Sequence, residues 1–416
     1  MKKILKWTIM ISSALILLSL IYLSPYILFS STSNMVKFNA KSELELDQYL
    51  REITSKEMPP AIDVTILKKG KEIYSKAFGL ANGITGEKIS KSHVYHLWSM
   101  TKTFTAVAIF QLIEKGFLKI NDPINKYLVH FRPVDFEKKS IEITIGQLLN
   151  HTSGLKDFDI NMLKWTHKVN EPYYGDSKMV KERLINYQEL NHKPGSVSKY
   201  GNINYVLLGA IIESITKNTY ENYIREFILK PMKMNGTGFI YRKDMNKYIA
   251  KGTLHSHHFW NFLIKFMGPK DGFNLISDRL VNKRYWLEEI YTDYSASTSL
   301  IGTGEDTARF AQMLLNGGEI DGVKILSNES TQAILYKGRI NSQRKEVLNN
   351  KRKLALGFGT KTWFEQGHEL IGHGGGGPGF AVQYLIIPKK DLVIVVLTNQ
   401  SLMLQFDLAK DIAFVF

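Results

Sequence analysis

Trp98-Ser99-Met100-Thr101-Lys102-Thr103-Phe104-Thr105-Ala106-Val107-Ala108-Ile109-Phe110 is the stretch on which the reading of this chain turns. It contains Ser99-x-x-Lys102 at the head of a run, Thr101 to Glu114, whose apolar residues fall on nearly every face, which predicts a buried helix. A spacing of three puts the two side chains on one helix face, one turn apart. A serine hydroxyl is a weak nucleophile until a neighbouring base takes its proton, and a lysine in apolar surroundings can serve. The N–H of a residue in a first helical turn has no intrahelical partner, so that of Ser99 is available to a developing oxyanion. On its own the pattern is short, and a helix-capping serine followed by a surface lysine would match it equally.

Two further segments add to it. Tyr200-Gly201-Asn202 follows the Pro194-Gly195 turn and opens a helical run, Asn204 to Thr216, so a phenol and an amide at i and i+2 can project into one cleft. Gly372-His373-Gly374-Gly375-Gly376-Gly377-Pro378-Gly379 stands directly before a strand-like run from Phe380, where glycines let a substrate backbone lie against a strand edge. That segment also matches G-x-G-x-x-G, but a strand follows it instead of a helix, so no helix N-terminus is presented to a pyrophosphate. It looks like an H-G-G-G oxyanion loop, yet it lies downstream of the nucleophile and the chain has no G-x-S-x-G elbow, which argues against an α/β-hydrolase.

S-x-x-K, Y-x-N and H-G-G in that order resemble the serine β-lactamase and penicillin-binding protein superfamily, in its class C-like branch with D-aminopeptidases and esterases. The resemblance runs from about Ser42 to the C-terminus. It is supported by Asn121-Asp122-Pro123-Ile124, Leu148 to Leu155, Tyr205 to Gly209, Asp306 to Phe310 and Leu356 to Gly359. It implies an α+β, transpeptidase-like fold in which strands from both chain ends form one antiparallel sheet flanked by terminal helices, beside a mainly helical subdomain. It implies catalytic roles for Ser99, Lys102 and Tyr200, which share the nucleophile's proton. Substrate binding falls to Asn202, His373, Gly374, Gly375 and Gly376, with the N–H groups of Ser99 and Gly376 holding the oxyanion. No metal and no cofactor is called for. One departure matters: where penicillin-hydrolysing relatives carry K-T-G, this chain has His373-Gly374-Gly375, a weaker grip on a substrate carboxylate. The implied activity is therefore hydrolysis of D-alanyl peptides or esters through an acyl-serine. The alternatives are a non-catalytic wall-binding or sensor protein on the same fold, or a weak β-lactamase.

The 416 residues include no cysteine, which excludes disulfides, thiolate metal sites and a cysteine nucleophile. Lys2, Lys3 and Lys6 precede an uncharged apolar run, Trp7 to Phe29, long enough to cross a hydrocarbon core of about 30 Å. Residues 1–30 are expected to be a membrane anchor with the remainder outside the cytoplasm, or a cleaved signal sequence. Residues 31–41 read as a linker and 42–416 as the hydrolase domain. The net charge of +15 is scattered in lysines, without an arginine-rich helix or aromatic ladder, so nucleic acid is a poor partner and a wall polymer a better one. Nothing in the sequence sets an oligomeric state.

Other expectations concern architecture. Helices are predicted over Ser42–Lys56, Ile145–Asn150, Tyr220–Leu229, Thr307–Leu315 and Leu402–Ile412, and strands over Ala61–Leu67, Ile73–Phe78, Ala355–Trp363, Phe380–Ile387 and Leu392–Thr398. Tyr241 to Tyr294 reads as an irregular insertion or lid. Its His255-Ser256-His257-His258 lacks the carboxylates of a metal site. Phe259, Trp260, Phe262 and Phe266 read as a local apolar cluster, with a lid lining or a membrane contact as the alternative, and His151 is expected to brace its own turn.

Overall fold

The computed structural model describes residues 37–157, 165–169, 171, 174–239, 248–256, 276–341, 354–401, 403 and 405–416. The anchor 1–30, most of the linker, His257, His258 and the aromatic cluster Phe259–Phe266 lie outside them.

Helix α1 (Glu43–Ser55) starts where the Ser42 hydroxyl accepts from the N–H of Glu45. Then come β1 (Ala61–Lys68), β2 (Lys71–Asn82) and β3 (Glu87–Lys88). The middle of the chain supplies α2 (Thr101–Glu114), α3 (Ile203–Thr216) and α4 (Gly304–Leu315). The C-terminal part returns to strands: β4 (Ile340–Asn341), β5 (Leu354–Leu356), β6 (Lys361–Glu365), β7 (His368–Gly377), β8 (Phe380–Ile387) and β9 (Leu392–Thr398). Helix α5 (Gln405–Ala413) follows. One sheet orders these strands β4-β5-β6-β7-β8-β9-β1-β2-β3, so its two chain-terminal halves join where β9 pairs antiparallel with β1.

Both faces of this sheet are covered, which is why β8, apart from Gln383, and β9 up to Leu397 read as apolar runs. Along β9 the odd-numbered Val393, Val395 and Leu397 join the larger core with α2, α3 and α4. The even-numbered Leu392, Ile394 and Val396 join the smaller core with α1 and α5. Helix α2 is buried continuously from Thr101 to Leu112, as an apolar helix with no polar stripe must be.

Three expectations are corrected. The run Ala355–Trp363 is two strands: Gly357–Thr360 turns between β5 and β6, with Gly359 at φ +80° pressed on α2, where a Cβ would stand 2.5 Å from that of Ala106. The glycine run before Phe380 is itself a strand, β7, paired with β8 through Gly377↔Phe380. Glycine has low strand propensity, and here it is required by close approach: a Cβ on Gly372 would stand 2.1 Å from the Tyr384 carbonyl oxygen. The 241–294 region is not irregular in its described parts. Thr253–His255, Ser277–Val281 and Arg284–Leu287 make a small sheet, and Ile290–Thr292 pairs with Thr166–Lys168. This region is fastened to the β7–β8 turn and to the residue after β9, since Thr253 N–H donates to the Gly379 carbonyl and its hydroxyl to the Asn399 carbonyl. Boundaries elsewhere move by a few residues. The Tyr220–Leu229 helix loses regular α geometry after Ile224.

Asp63 on β1 is buried against the first residue of α4, Gly304, with Thr65 Oγ1 donating to it at 3.4 Å. Burial pushes its carboxyl up from 3.8 to about 7. The folded state therefore holds a proton that the unfolded chain has already lost, so stability falls as pH rises from about 4 towards 7. At about 1.4 kcal/mol per pH unit, urea unfolding of Asp63→Asn should lack a few kcal/mol of that decline, read as a flatter profile between pH 4 and 7 than the parent's.

Candidate active site

Ser99 lies in a tight turn, Trp98–Met100, that runs directly into α2. Trp98 occupies the left-handed region at φ +46°, a conformation that costs an L-residue roughly 1–2 kcal/mol. Packing holds it there. Its ring stacks on His96 with centroids 4.9 Å apart, and Gly377 leaves room for it by lacking a side chain, because a Cβ there would lie 2.5 Å from the indole. Gly375 abuts the Leu97 carbonyl, which itself accepts from Met100 N–H to close the turn. The glycines of β7 thus let the nucleophile's turn lie directly on the sheet.

One turn on, Lys102 is fully buried. Its Nζ is 3.1 Å from Ser99 Oγ, 2.9 Å from Asn202 Oδ1 and 3.1 Å from the Ser297 carbonyl oxygen. The last two are acceptors only, so they consume two N–H groups. The third position on nitrogen faces Ser99, as an N–H in the ammonium and as a lone pair in the amine. In the neutral form the lysine therefore aims its basic electron pair at the serine hydroxyl.

Asn202 precedes α3 but does not cap it. Asp157 does so instead, accepting from the N–H groups of Asn202 at 3.1 Å and Ile203 at 3.0 Å. This frees the Asn202 side chain for the site. Its Oδ1 takes Lys102 and the Ser297 hydroxyl at 2.9 Å, which orients its NH2 donors away from the lysine. Tyr200 packs beside them, its ring 5.0 Å from Lys102 Nζ and 4.8 Å from Lys361 Nζ. His151 braces this turn as well as closing its own, where its N–H donates to the Leu148 carbonyl. Its Nδ1 accepts from Gly201 N–H at 3.2 Å and from Asn204 Nδ2 at 3.1 Å, and its ring lies 4.4 Å from that of Tyr200.

On the opposite wall His373 is buried at the point where β7 leaves β6. Its Nδ1 donates to the Gly374 carbonyl at 2.7 Å, and its ring is 6.0 Å from Tyr200. Burial first, then the Lys361 and Lys102 charges, hold the imidazole well below its ordinary value, so it is uncharged at neutral pH. Gly374 lies against the Gln383 side chain, whereas Gly376 is exposed and a Cβ there would meet nothing. The fold thus brings Ser99, Lys102, Tyr200, Asn202, His373 and Gly374–Gly376 to one junction of sheet and helices. Asp157, Ser297 and Lys361 also belong to it. Ser297 and Lys361 carry no spacing signal relative to the three motifs, and Asp157 is legible only as an acidic residue shortly after the Leu148–Leu155 segment.

A large antiparallel sheet joined from both chain ends, a helical subdomain and a Ser–Lys–Tyr–Asn cluster at their junction define the β-lactamase/transpeptidase-like class. The chain belongs to the Beta-lactamase family, whose sequence pattern matches residues 46–413. Protein flp of Staphylococcus aureus is 34% identical over 211 residues, 51% of this chain and 41% of that protein. The chain therefore matches about two fifths of that relative's length. Among solved structures, the octameric penicillin-binding protein homologue from Pyrococcus abyssi superposes with a TM-score of 0.69 at 25% identity, covering 89% of this chain and 76% of that one. The D-amino acid amidase from Ochrobactrum anthropi, in complex with D-phenylalanine, superposes at 0.70 with 18% identity, covering 89% and 98%.

The packing separates two neighbouring glycines. Gly375→Ala must displace the Leu97 carbonyl, 2.1 Å from the new Cβ, and with it the Ser99 turn, whereas Gly376→Ala meets open space. Labelling of Ser99 by a fluorophosphonate should fall at least tenfold in Gly375→Ala, while thermal unfolding of Gly376→Ala should stay within about 0.5 kcal/mol of the parent.

Proposed function

We propose that this protein is a serine acyl-hydrolase acting, through an acyl-Ser99 intermediate, on D-alanyl peptide or ester groups of the cell envelope. The observation that carries the reading is the buried Lys102 Nζ, 3.1 Å from Ser99 Oγ and held there by Asn202 and Ser297. As Ser99 Oγ attacks the acyl carbonyl, its proton passes to Lys102 and the adjoining Tyr200. The tetrahedral oxyanion is received by the N–H groups of Ser99 and Gly376, and the NH2 of Asn202 orients the substrate amide. When the bond to the leaving amine or alcohol breaks, the stored proton goes to that group. Water, deprotonated by the same pair, then releases the acid and restores Ser99. Both the family and the placement of the Y-x-N and H-G-G segments beside Ser99 support this reading.

The low charge of His373 favours peptidase or esterase work over β-lactam destruction, since an uncharged imidazole offers a substrate carboxylate no ion pair. The apolar run Trp7–Phe29 supports a membrane-tethered, extracytoplasmic placement. Among the described residues, which exclude that run, no helix is long and apolar enough to span a membrane.

Intact-mass spectra after incubation with a fluorophosphonate, a penicillin and D-alanyl peptides and esters test the reading. The parent should gain one adduct, and Ser99→Ala none. Lys102→Met, which keeps the volume and removes the base, should acylate about 10²–10⁴-fold more slowly. Equal labelling of Ser99→Ala and parent would refute the assignment.

A further inference from the structure

Asp176 opens the seven-residue helix Asp176–Glu182 and is fully buried in the helical part of the molecule. Its Oδ2 accepts from Ala296 N–H at 3.1 Å, while its Oδ1 has no hydrogen-bond partner among the described residues. Burial first, and the Glu213 charge next, push this carboxyl well above its ordinary value, so it keeps its proton where an exposed aspartate loses it. No step of the acylation touches it. What it offers is one neutral acceptor oxygen, spent on a single peptide N–H.

That N–H belongs to the first turn of Ser295–Thr298, where an amide has no acceptor within its own helix. The Ala296 carbonyl is held as well: it accepts at 2.6 Å from the hydroxyl of Thr105, three residues after Lys102 on α2. Helix α3 admits the contact through Gly209, where a Cβ would lie 2.5 Å from that of Ala296 and 2.7 Å from Asp176 Oδ2. Ala296 is thus gripped at both its N–H and its carbonyl. The next residue, Ser297, makes two contacts in the site. Its carbonyl accepts from Lys102 Nζ at 3.1 Å, and its hydroxyl donates to Asn202 Oδ1 at 2.9 Å. A shift of Ala296 therefore moves an acceptor of the lysine and a partner of the asparagine together.

We propose that Asp176 is a positioning residue of the acylation site: through Ala296 it holds Ser297 against Lys102 and Asn202, and so keeps the lysine nitrogen aimed at Ser99. This rests on the acyl-Ser99 reading and adds a residue to it. The role needs an acceptor oxygen at this position and not a negative charge, so asparagine can fill it and leucine, of similar volume, cannot. Misplacing a catalytic group by about 1 Å costs on the order of 100-fold in rate, which sets the scale of the effect.

The test uses the full chain and a fluorophosphonate, with the labelling of Ser99 resolved into a rate at saturation and a half-saturation concentration. Asp176→Leu should lower the saturating rate about 10–100-fold with the half-saturation concentration within about twofold of the parent's, and Asp176→Asn should restore the rate to within about fivefold. An Asp176→Leu protein at the parent's rate, an Asp176→Asn protein as slow as Asp176→Leu, or a loss carried by the half-saturation concentration alone overturns the proposal. Should Asp176→Leu fail to fold, Gly209→Ala drives a methyl between the same two groups and must show the same loss of saturating rate; a normal rate overturns the proposal equally. Modification of Lys102 by trinitrobenzenesulfonate, mapped by mass spectrometry in the Ser99→Ala background, separates this from the chemistry. Faster modification in Asp176→Leu but not in Asp176→Asn, in a protein whose parent is never acylated, would sink the hydrolase reading and leave the positioning contact standing. Acylation of the parent with Lys102 equally protected in all three proteins would do the reverse.

Discussion

A lysine amine with no exposure to water is the constraint on which this site depends. Removing an ammonium-sized group from solvent is costly unless every donor finds an acceptor. The acceptors come from the preceding turn, in Ser99, and from two remote parts of the chain, Asn202 before α3 and the carbonyl of Ser297. Satisfying one side chain therefore fixes the relative positions of α2, the start of α3 and the short Ser295–Thr298 helical turn. The same contacts orient the chemistry, because two fixed acceptors leave the third direction on the nitrogen pointing at the nucleophile.

Each supporting element is held by interactions that leave the functional atom unencumbered. Asp157 caps α3 so that Asn202 need not, and His151 braces Gly201 and Asn204 so that Tyr200 faces the lysines. Trp98 carries backbone strain beside Ser99, and the strain persists because His96 and the bare strand face of Gly375 and Gly377 enclose it. The glycines that make β7 look unlike a strand are thus what lets it serve as the wall of the site.

Much of the architecture is legible from pattern. An apolar helix from Thr101 to Glu114 and the strands Phe380–Ile387 and Leu392–Thr398 follow directly from composition and periodicity, because packing on all sides leaves a continuous apolar run. Misreadings fall where tertiary contact overrides local preference. Gly357–Thr360 breaks a run that looks continuous because α2 presses on Gly359, and β7 pairs as a strand despite five glycines because β8 and the Leu97 carbonyl demand bare backbone.

By itself, then, the sequence determined the elements and the chemical types at the site: a serine and a lysine one helical turn apart, a tyrosine and an asparagine at a helix start, and a histidine among glycines. Those assignments are local, set by spacing along a helix or by residue type within a turn. Tertiary structure alone decided which oxygens receive the lysine, that Asp157 releases Asn202, and that Lys361 reaches the cleft from a neighbouring strand. The physical reason is that hydrogen-bond partners some hundred or two hundred residues apart, as Lys102 is from Asn202 and from Ser297, leave no periodicity in the chain and meet only when the sheet and helices pack.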